Sequence, residues 1–253
     1  MKVQKVIKII ISPAKKMNIN TDTLEVKALP VYLCEAQYLW DYLKGLSYEE
    51  LKTLWQCNDK IARLNYSRLR DIKLTSGLTP ALLAYEGLQY QYMAPAVLED
   101  LQWEYVQKHV CILSGLYGVV HPLDGVVPYR LEMQTRLKLP GERNLYQYWG
   151  QKIYREVAGD AAAILNLASK EYSKCIEKEL DGSIRYITCV FGEYKGNKVI
   201  EKGTYAKMAR GGMVRFMAER KIEDPEEVKK FSGLGYRFCE EESEENRFVF
   251  IKG

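Results

Sequence analysis

Val110-Cys-Ile-Leu-Ser-Gly-Leu-Tyr-Gly-Val-Val-His-Pro-Leu-Asp-Gly-Val-Val-Pro-Tyr-Arg-Leu-Glu-Met133 opens on four apolar residues and then breaks. A short apolar run with β-branched members, closed by small residues, reads as a strand buried on both faces. The break falls at Ser114-Gly115 and Gly118, where small residues let the backbone turn and approach a neighbour closely. Beyond it, Pro122, Gly125 and Pro128 punctuate a long loop that ends in Tyr129-Arg130-Leu131-Glu132. Loops of that length inside a compact domain are uncommon unless they carry function. This one bears Ser114, Tyr117, His121, Asp124, Arg130 and Glu132. It reads as a ligand-facing loop on the carboxyl end of a central strand.

Two other apolar runs end the same way. Residues 6–11 lead into Ser12-Pro13-Ala14-Lys15-Lys16, and residues 161–168 into Ser169-Lys170-Glu171-Tyr172. In an open α/β sheet, ligands gather at the carboxyl ends of strands, beside helix N-termini. If the three strands are neighbours, Ser12, Ser114 and Ser169 share one crevice, with Lys15, Lys16 and Lys170 close by. That setting suits a phosphate or another anion. Serine also starts turns and caps helices with no ligand involved.

Residues 18–30 read as a polar connection and 31–43 as a helix that Gly45 ends. Ser47-Tyr48-Glu49-Glu50 is a capping box opening the next helix. Its stripe of Leu51, Leu54 and Trp55 is interrupted at Asn58-Asp59-Lys60 before Ile61, Leu64 and Leu69 resume, giving one long helix or two short ones. Lys60, Arg63, Arg68 and Arg70 form its polar face. Thr79 to Ala84 starts a helix or a strand. Helices are expected over 94–108, with Pro95 in the first turn, and over 144–157. Strands over 184–191 and 197–203 meet at the turn Lys195-Gly196-Asn197. Thr204 can cap a helix running to Arg220, Asp224-Pro225 starts a short one, and 235–239 pairs with 247–251 as a hairpin across an acidic loop. With no internal repeat or flexible linker, residues 1–253 read as one domain.

In the helix from Thr204, Lys207, Gly211 and Arg215 lie on one stripe with Arg210 beside it. Gly211 and Gly212 in mid-helix cost roughly 1 kcal/mol each relative to alanine, so something must offset them. Close phosphate contact and close helix packing both fit.

The chain has 253 residues, 47% of them hydrophobic and 28% charged, so it can bury a sizeable core. A net charge of +4 permits an anionic partner without demanding one. Nineteen tyrosines serve wet-rimmed cores and stacking surfaces alike. Six cysteines without a C-x-x-C pair, and only two histidines, give no support for zinc or another metal. Most of those cysteines sit in apolar runs and read as buried thiols. The charged N-terminal stretch from Met1 is too short in apolar residues for a secretory signal. No run approaches the roughly 20 apolar residues of a membrane span. A reduced, cytosolic protein is the expectation. No G-x-S-x-G, Walker, H-E-x-x-H or dinucleotide motif is present, and no cofactor is implied. Asp124 and Glu132 are the carboxylates in the loop fit for acid–base work. Arg130 either pairs with Glu132 or grips an anion through its planar fork.

Taken in order, Ile11-Ser-Pro-Ala-Lys15, Leu113-Ser-Gly-Leu-Tyr-Gly118, Pro122-Leu-Asp124 and Pro128-Tyr-Arg-Leu-Glu-Met133 resemble the YaaA family of bacterial peroxide-stress-resistance proteins. The likeness continues through Leu145-Tyr146, Trp149-Gly150, Asn166-Leu-Ala-Ser169, Glu171-Tyr172, Tyr205-Ala-Lys207, Ala209-Arg-Gly211 and Arg215-Phe216. It implies a single α/β domain of unusual topology, with a mixed central sheet, surrounding helices and a positively charged cleft. It also implies oxidative-stress defence, DNA binding, a helix-hairpin-helix-like element matching Ser47 to Arg70, and a link to limiting free iron. This chain departs from the pattern at Asn58-Asp59-Lys60, where a glycine–apolar–glycine hairpin is usual, and at Glu86-Gly87-Leu88.

The expected function is therefore DNA binding in the peroxide response, on duplex or branched DNA with little sequence preference. Lys15, Lys60, Arg68, Arg130, Arg136, Ser169, Lys170, Lys207, Arg210 and Arg215 are the candidate phosphate contacts. The rival is an enzyme acting on a nucleotide or a nucleobase in nucleic acid, with Ser12, Ser114, Tyr117, Asp124 and Glu132 as its candidate machinery. A deep pocket with these groups converging favours the enzyme; an open basic groove favours the binder. An iron-sequestering protein would need clustered ligands, and Glu240-Glu-Glu-Ser-Glu-Glu245 reads instead as a solvated turn.

Overall fold

The computed structural model describes residues 5–20 and 24–253. The N-terminal stretch read as lacking a secretory signal falls partly outside these residues, as does the middle of the 18–30 connection.

Apolar, β-branched runs supply the strands of the main sheet. They are β1 (Val6–Ile11), β5 (Val110–Ser114), β6 (Gly118–Val120), β8 (Ala161–Leu167), β9 (Arg185–Lys195), β10 (Lys198–Ile200), β11 (Tyr236–Phe238) and β12 (Arg247–Lys252). Short pairs β2 (Lys16–Met17) with β4 (Tyr85–Glu86), and β3 (Thr79–Pro80) with β7 (Gly125–Val126), pin loops together. The main sheet runs β11-β12-β9-β8-β1-β5-β6, with β10 also on β9. Its five inner strands are parallel, and an antiparallel partner closes each side: β6 on β5 and β11 on β12. This is the expected single α/β domain with a mixed sheet and surrounding helices. All six residues of β1 are buried, as befits a strand at the sheet centre.

The helices are α1 (Leu33–Gly45), α2 (Tyr48–Trp55), α3 (Asp59–Asp71), α4 (Ala81–Ala84), α5 (Leu88–Met93), α6 (Asp100–His109), α7 (Leu145–Trp149), α8 (Lys152–Ala158), α9 (Lys170–Glu177) and α10 (Gly203–Arg220). Helix α6 packs on β1, α8 on β6 and β8, and α10 on β9 and α5. No helix is long and apolar enough to cross a membrane, among the described residues.

The capping box forms as read: Ser47 accepts from the Glu50 N–H, and the Glu50 carboxylate accepts from the Ser47 N–H at 2.8 Å. Two short helices, not one long helix, follow. Gln56 takes a left-handed conformation (φ 44°), and the Asn58 side chain caps α3 by accepting from the Ile61 N–H at 3.0 Å. The tight turn is thus made without glycine.

Several boundaries differ from expectation. The 94–108 helix starts only at Asp100, because Ala94 is left-handed (φ 51°) and Pro95 opens a separate 3-10 turn. The 144–157 helix splits at Gly150 (φ 45°) into α7 and α8. Helix α10 begins at Gly203 behind Lys202, so Thr204 is not its cap. The long loop after Ser114 contains β6 and β7 and is largely buried, so it is a structural segment for most of its course. Of the six free cysteines only Cys111, Cys175 and Cys189 are buried; Cys34 is exposed.

Gly211 is explained by packing. A methyl group there would lie 2.0 Å from the Gln89 carbonyl oxygen, so α10 crosses α5 at backbone contact. Helix packing, of the two alternatives, accounts for that glycine. Gly212 meets nothing closer than 3.6 Å.

Candidate functional site

Neighbouring parallel strands bring their carboxyl ends together only where the register matches. Ile11 lies opposite Leu167 on one side and Ile112 on the other. Ser12 and Ser169 therefore meet, while β5 runs on past them. The Ser169 N–H donates to the Ser12 Oγ at 2.8 Å, and the Ser12 hydroxyl donates to the Ser169 Oγ at 3.2 Å. Ser114 does not join them. It is fully buried, its Oγ accepting from the Leu116 and Tyr117 N–H groups and lying 2.7 Å from the Tyr129 hydroxyl. The expected crevice of three serines holds two.

Over this pair opens a pocket of about 360 Å³. Helix α5 forms one wall and is tied to the strand ends: Tyr90 donates to the Ser12 carbonyl at 2.8 Å, and Gln89 to the Leu167 carbonyl at 3.2 Å. Tyr129 to Glu132 form another wall. Lys207 and Arg210 reach in from α10, and Glu171 and Tyr172 from the first turn of α9. The Tyr129 hydroxyl sits between Tyr85 (3.0 Å) and Ser114, and its burial pushes the phenol up to about 12.

The pocket is basic but partly self-neutralised. Glu132 Oε1 lies 3.2 Å from both Lys15 Nζ and Arg130 Nη2, the pairing anticipated for Arg130. Neither contact is aligned as a hydrogen bond, so that buried oxygen has no oriented donor. Lys16 pairs with Glu86 at 2.5 Å and Arg210 with Glu201 at 3.2 Å. Burial lowers the pKa of Arg210. The Nε atoms of Arg130 and Arg210 are both buried without an acceptor. Lys207 is exposed and has no carboxylate within ion-pair reach among the described residues. Burial raises the Glu171 carboxyl pKa, opposed by the N–H of Gln134 donating to it at 3.2 Å.

The structure thus gathers Ser12, Lys15, Arg130, Glu132, Ser169, Lys207 and Arg210 around one pocket. Other candidates lie elsewhere. Tyr117 is buried, its hydroxyl accepting from the Val127 N–H at 3.2 Å. Asp124 is buried, accepts from the His121 N–H at 2.7 Å, and is pushed up to about 6 by burial. Arg215 pairs with Glu219 and directs Nη1 at the end carbonyls of α5, Met93 and Ala94, each at 3.5 Å. Lys60, Arg136 and Lys170 are exposed outside the pocket lining, and Arg68 is half-buried on α3. The hairpin of α2 and α3 still touches the site, since Arg130 Nη2 donates to the Trp55 carbonyl at 3.4 Å.

Sequence reasoning missed Glu171, Gln89, Tyr90 and Tyr129 as lining residues. Glu171 carried a signal, standing two residues beyond Ser169 in a helix's first turn. The α5 residues carried none, because tertiary contacts with α10 and the strand ends, and the pairing of the preceding β4 with β2, bring them there without a local pattern. No group of three or more His, Cys, Asp or Glu side chains is placed to hold a metal, among the described residues.

Known sequences align with the chain along nearly its whole length. It is 56% identical to a UPF0246 protein of Desulfitobacterium hafniense, over 97% of this chain and 98% of that protein. It is 54% identical to one from Lachnoclostridium phytofermentans, over 97% and 96%, and 48% identical to one from Pediococcus pentosaceus, over 97% and 98%. Residues 7–242 match the family described as peroxide stress protein YaaA, and the chain belongs to that family.

Proposed function

We propose that this peroxide-stress protein binds DNA, with the pocket at the ends of β1 and β8 as its central contact. A protein that covers DNA in this way shields it from iron- and peroxide-driven damage. The observation that carries the reading is the convergence of Lys15, Arg130, Lys207 and Arg210 on the Ser12–Ser169 pair. The planar forks of Arg130 and Arg210 and an unpaired Lys207 suit phosphate oxygens. Lys60, Arg68, Arg136 and Lys170 extend the phosphate contacts beyond the pocket.

The test is a fluorescence-anisotropy titration of duplex and branched DNA across salt. The four pocket contacts alone give a slope of roughly −3.6 in log affinity against log salt, and all eight contacts give roughly −7. Replacing Lys170 and Lys207 together by alanine should weaken binding across sequences and reduce that slope by about 2. Absent or salt-indifferent binding overturns the proposal.

Two pocket carboxylates, Glu132 and Glu171, favour a second reading, an enzyme acting on a nucleotide or nucleobase. Incubating DNA with the protein and analysing products by mass spectrometry tests it. Turnover lost in Glu132→Gln and Glu171→Gln supports this reading, and unchanged substrate removes it.

A further inference from the structure

The pocket lining asks for more than a phosphate. Glu86, Glu132 and Glu171 stand in it among the cations. Carboxylates repel backbone phosphates, yet they accept hydrogen bonds from the N–H edges of bases. The Glu132 carboxylate, which lines the pocket between Lys15 and Arg130, is one such acceptor. Between the charges lie Pro13, Ala14, Leu88 and the ring of Tyr129, an apolar wall on which a planar ring can rest. At about 360 Å³ the pocket lies at the low end of sites that enclose a small organic ligand. A nucleotide fits such a space, and a duplex does not.

We propose that the pocket receives a single nucleotide turned out of the duplex. Its base lies against the Pro13–Ala14–Leu88 wall with its N–H edge toward Glu132, and its flanking phosphate meets Lys207 at the rim. This rests on the DNA-binding reading and adds base eversion to it. Reaching a base inside a stack requires that it be everted, at a cost of a few kcal/mol that is smallest for mismatched or damaged bases. Arg130 and Arg210, largely buried in the pocket, supply contacts only an everted nucleotide can reach, while exposed Lys15 and Lys207 also serve the duplex backbone.

A duplex carrying 2-aminopurine at one position and a remote dye separates the two claims, because anisotropy reports binding and 2-aminopurine emission reports unstacking. At protein concentrations that saturate the anisotropy, emission should rise severalfold. The rise should disappear in Ala14→Phe, which fills the wall. It should also fall when a free mononucleotide is added to the wild-type complex, a measurement that needs no variant to fold. Saturated anisotropy with unchanged emission overturns eversion and leaves DNA binding standing. A rise that survives both Ala14→Phe and the free nucleotide assigns the unstacked base to another place and also overturns the inference. Absence of any anisotropy change overturns the DNA reading itself, and eversion with it.

Discussion

At Gly211 an added methyl group would meet the Gln89 carbonyl at 2.0 Å, whereas at Gly212 the nearest atom is the Phe231 ring at 3.6 Å. Backbone cannot yield as a flexible side chain can, so Gly211→Ala should cost about 3 kcal/mol and pry α10 from α5. Gly212→Ala should instead gain up to about 1 kcal/mol from helix propensity. Denaturant midpoints of the two variants check this. His121 gives a second prediction. The Cys111 thiol and the Glu156 carboxylate (3.3 Å) beside it raise its pKa to about 10. A raised histidine stabilises the fold fully below its unfolded value near 6.5, and that contribution is lost as pH climbs toward 10. Stability should fall by about 1–2 kcal/mol between pH 7 and 8.5. His121→Asn should flatten the decline. Asp124, titrating near 6, and the buried phenols, titrating above 10, lie outside that window. The thiols of Cys175 and Cys189, raised by burial, add a smaller decline of the same sign toward pH 8.5, which His121→Asn leaves in place. Legibility at this scale was uneven. Ser12 and Ser169 could be read from apolar runs that stop at serine. Ser114 looked identical, and what removes it from the cleft is tertiary: a register that carries β5 past Ser12, and the Tyr129 hydroxyl 15 positions along that engages it.

Among the elements, the hairpin of α2 and α3 rests on side-chain caps. Ser47→Ala removes half of the capping box and should cost about 1 kcal/mol, visible as a shift in thermal midpoint. Tyr48, Lys52 and Arg63 all hold Asp59, and their hydrogen bonds depress its carboxyl pKa. This network fixes the turn where a glycine-based hairpin was missing. Strands and capped helix starts were legible because burial and capping leave local patterns. The interruptions at Ala94 and Gly150 were not. Left-handed backbone at an alanine has no sequence signature, and Gly150 sits in an otherwise unbroken helical periodicity.

Over the whole molecule, the cleft charge is less than a count of cations suggests. Lys15, Lys16, Arg130 and Arg210 each have a carboxylate partner, and Lys207 is exposed and unpaired among the described residues. Lys207→Ala alone should therefore weaken duplex binding more than Lys16→Ala, by roughly one unit of salt slope against little change. Titrations of the two variants at matched salt decide it.

The central position of β1 also sets a timetable for biosynthesis. Its partners β5 and β8 begin about 100 and 155 residues later, and the Ser12–Ser169 contact spans 157 positions. Pocket closure waits further, for α10. At about 5–20 residues per second, the roughly 200 residues from Ser12 to Arg210 take on the order of 10–40 s to translate. Until β5 emerges, the strongly β-prone hexapeptide Val-Ile-Lys-Ile-Ile-Ile hangs from the ribosome without a pairing partner, and one of its edges stays open until β8 follows. Nascent chains should accordingly engage holdase chaperones from the moment β1 emerges until β8 clears the exit tunnel.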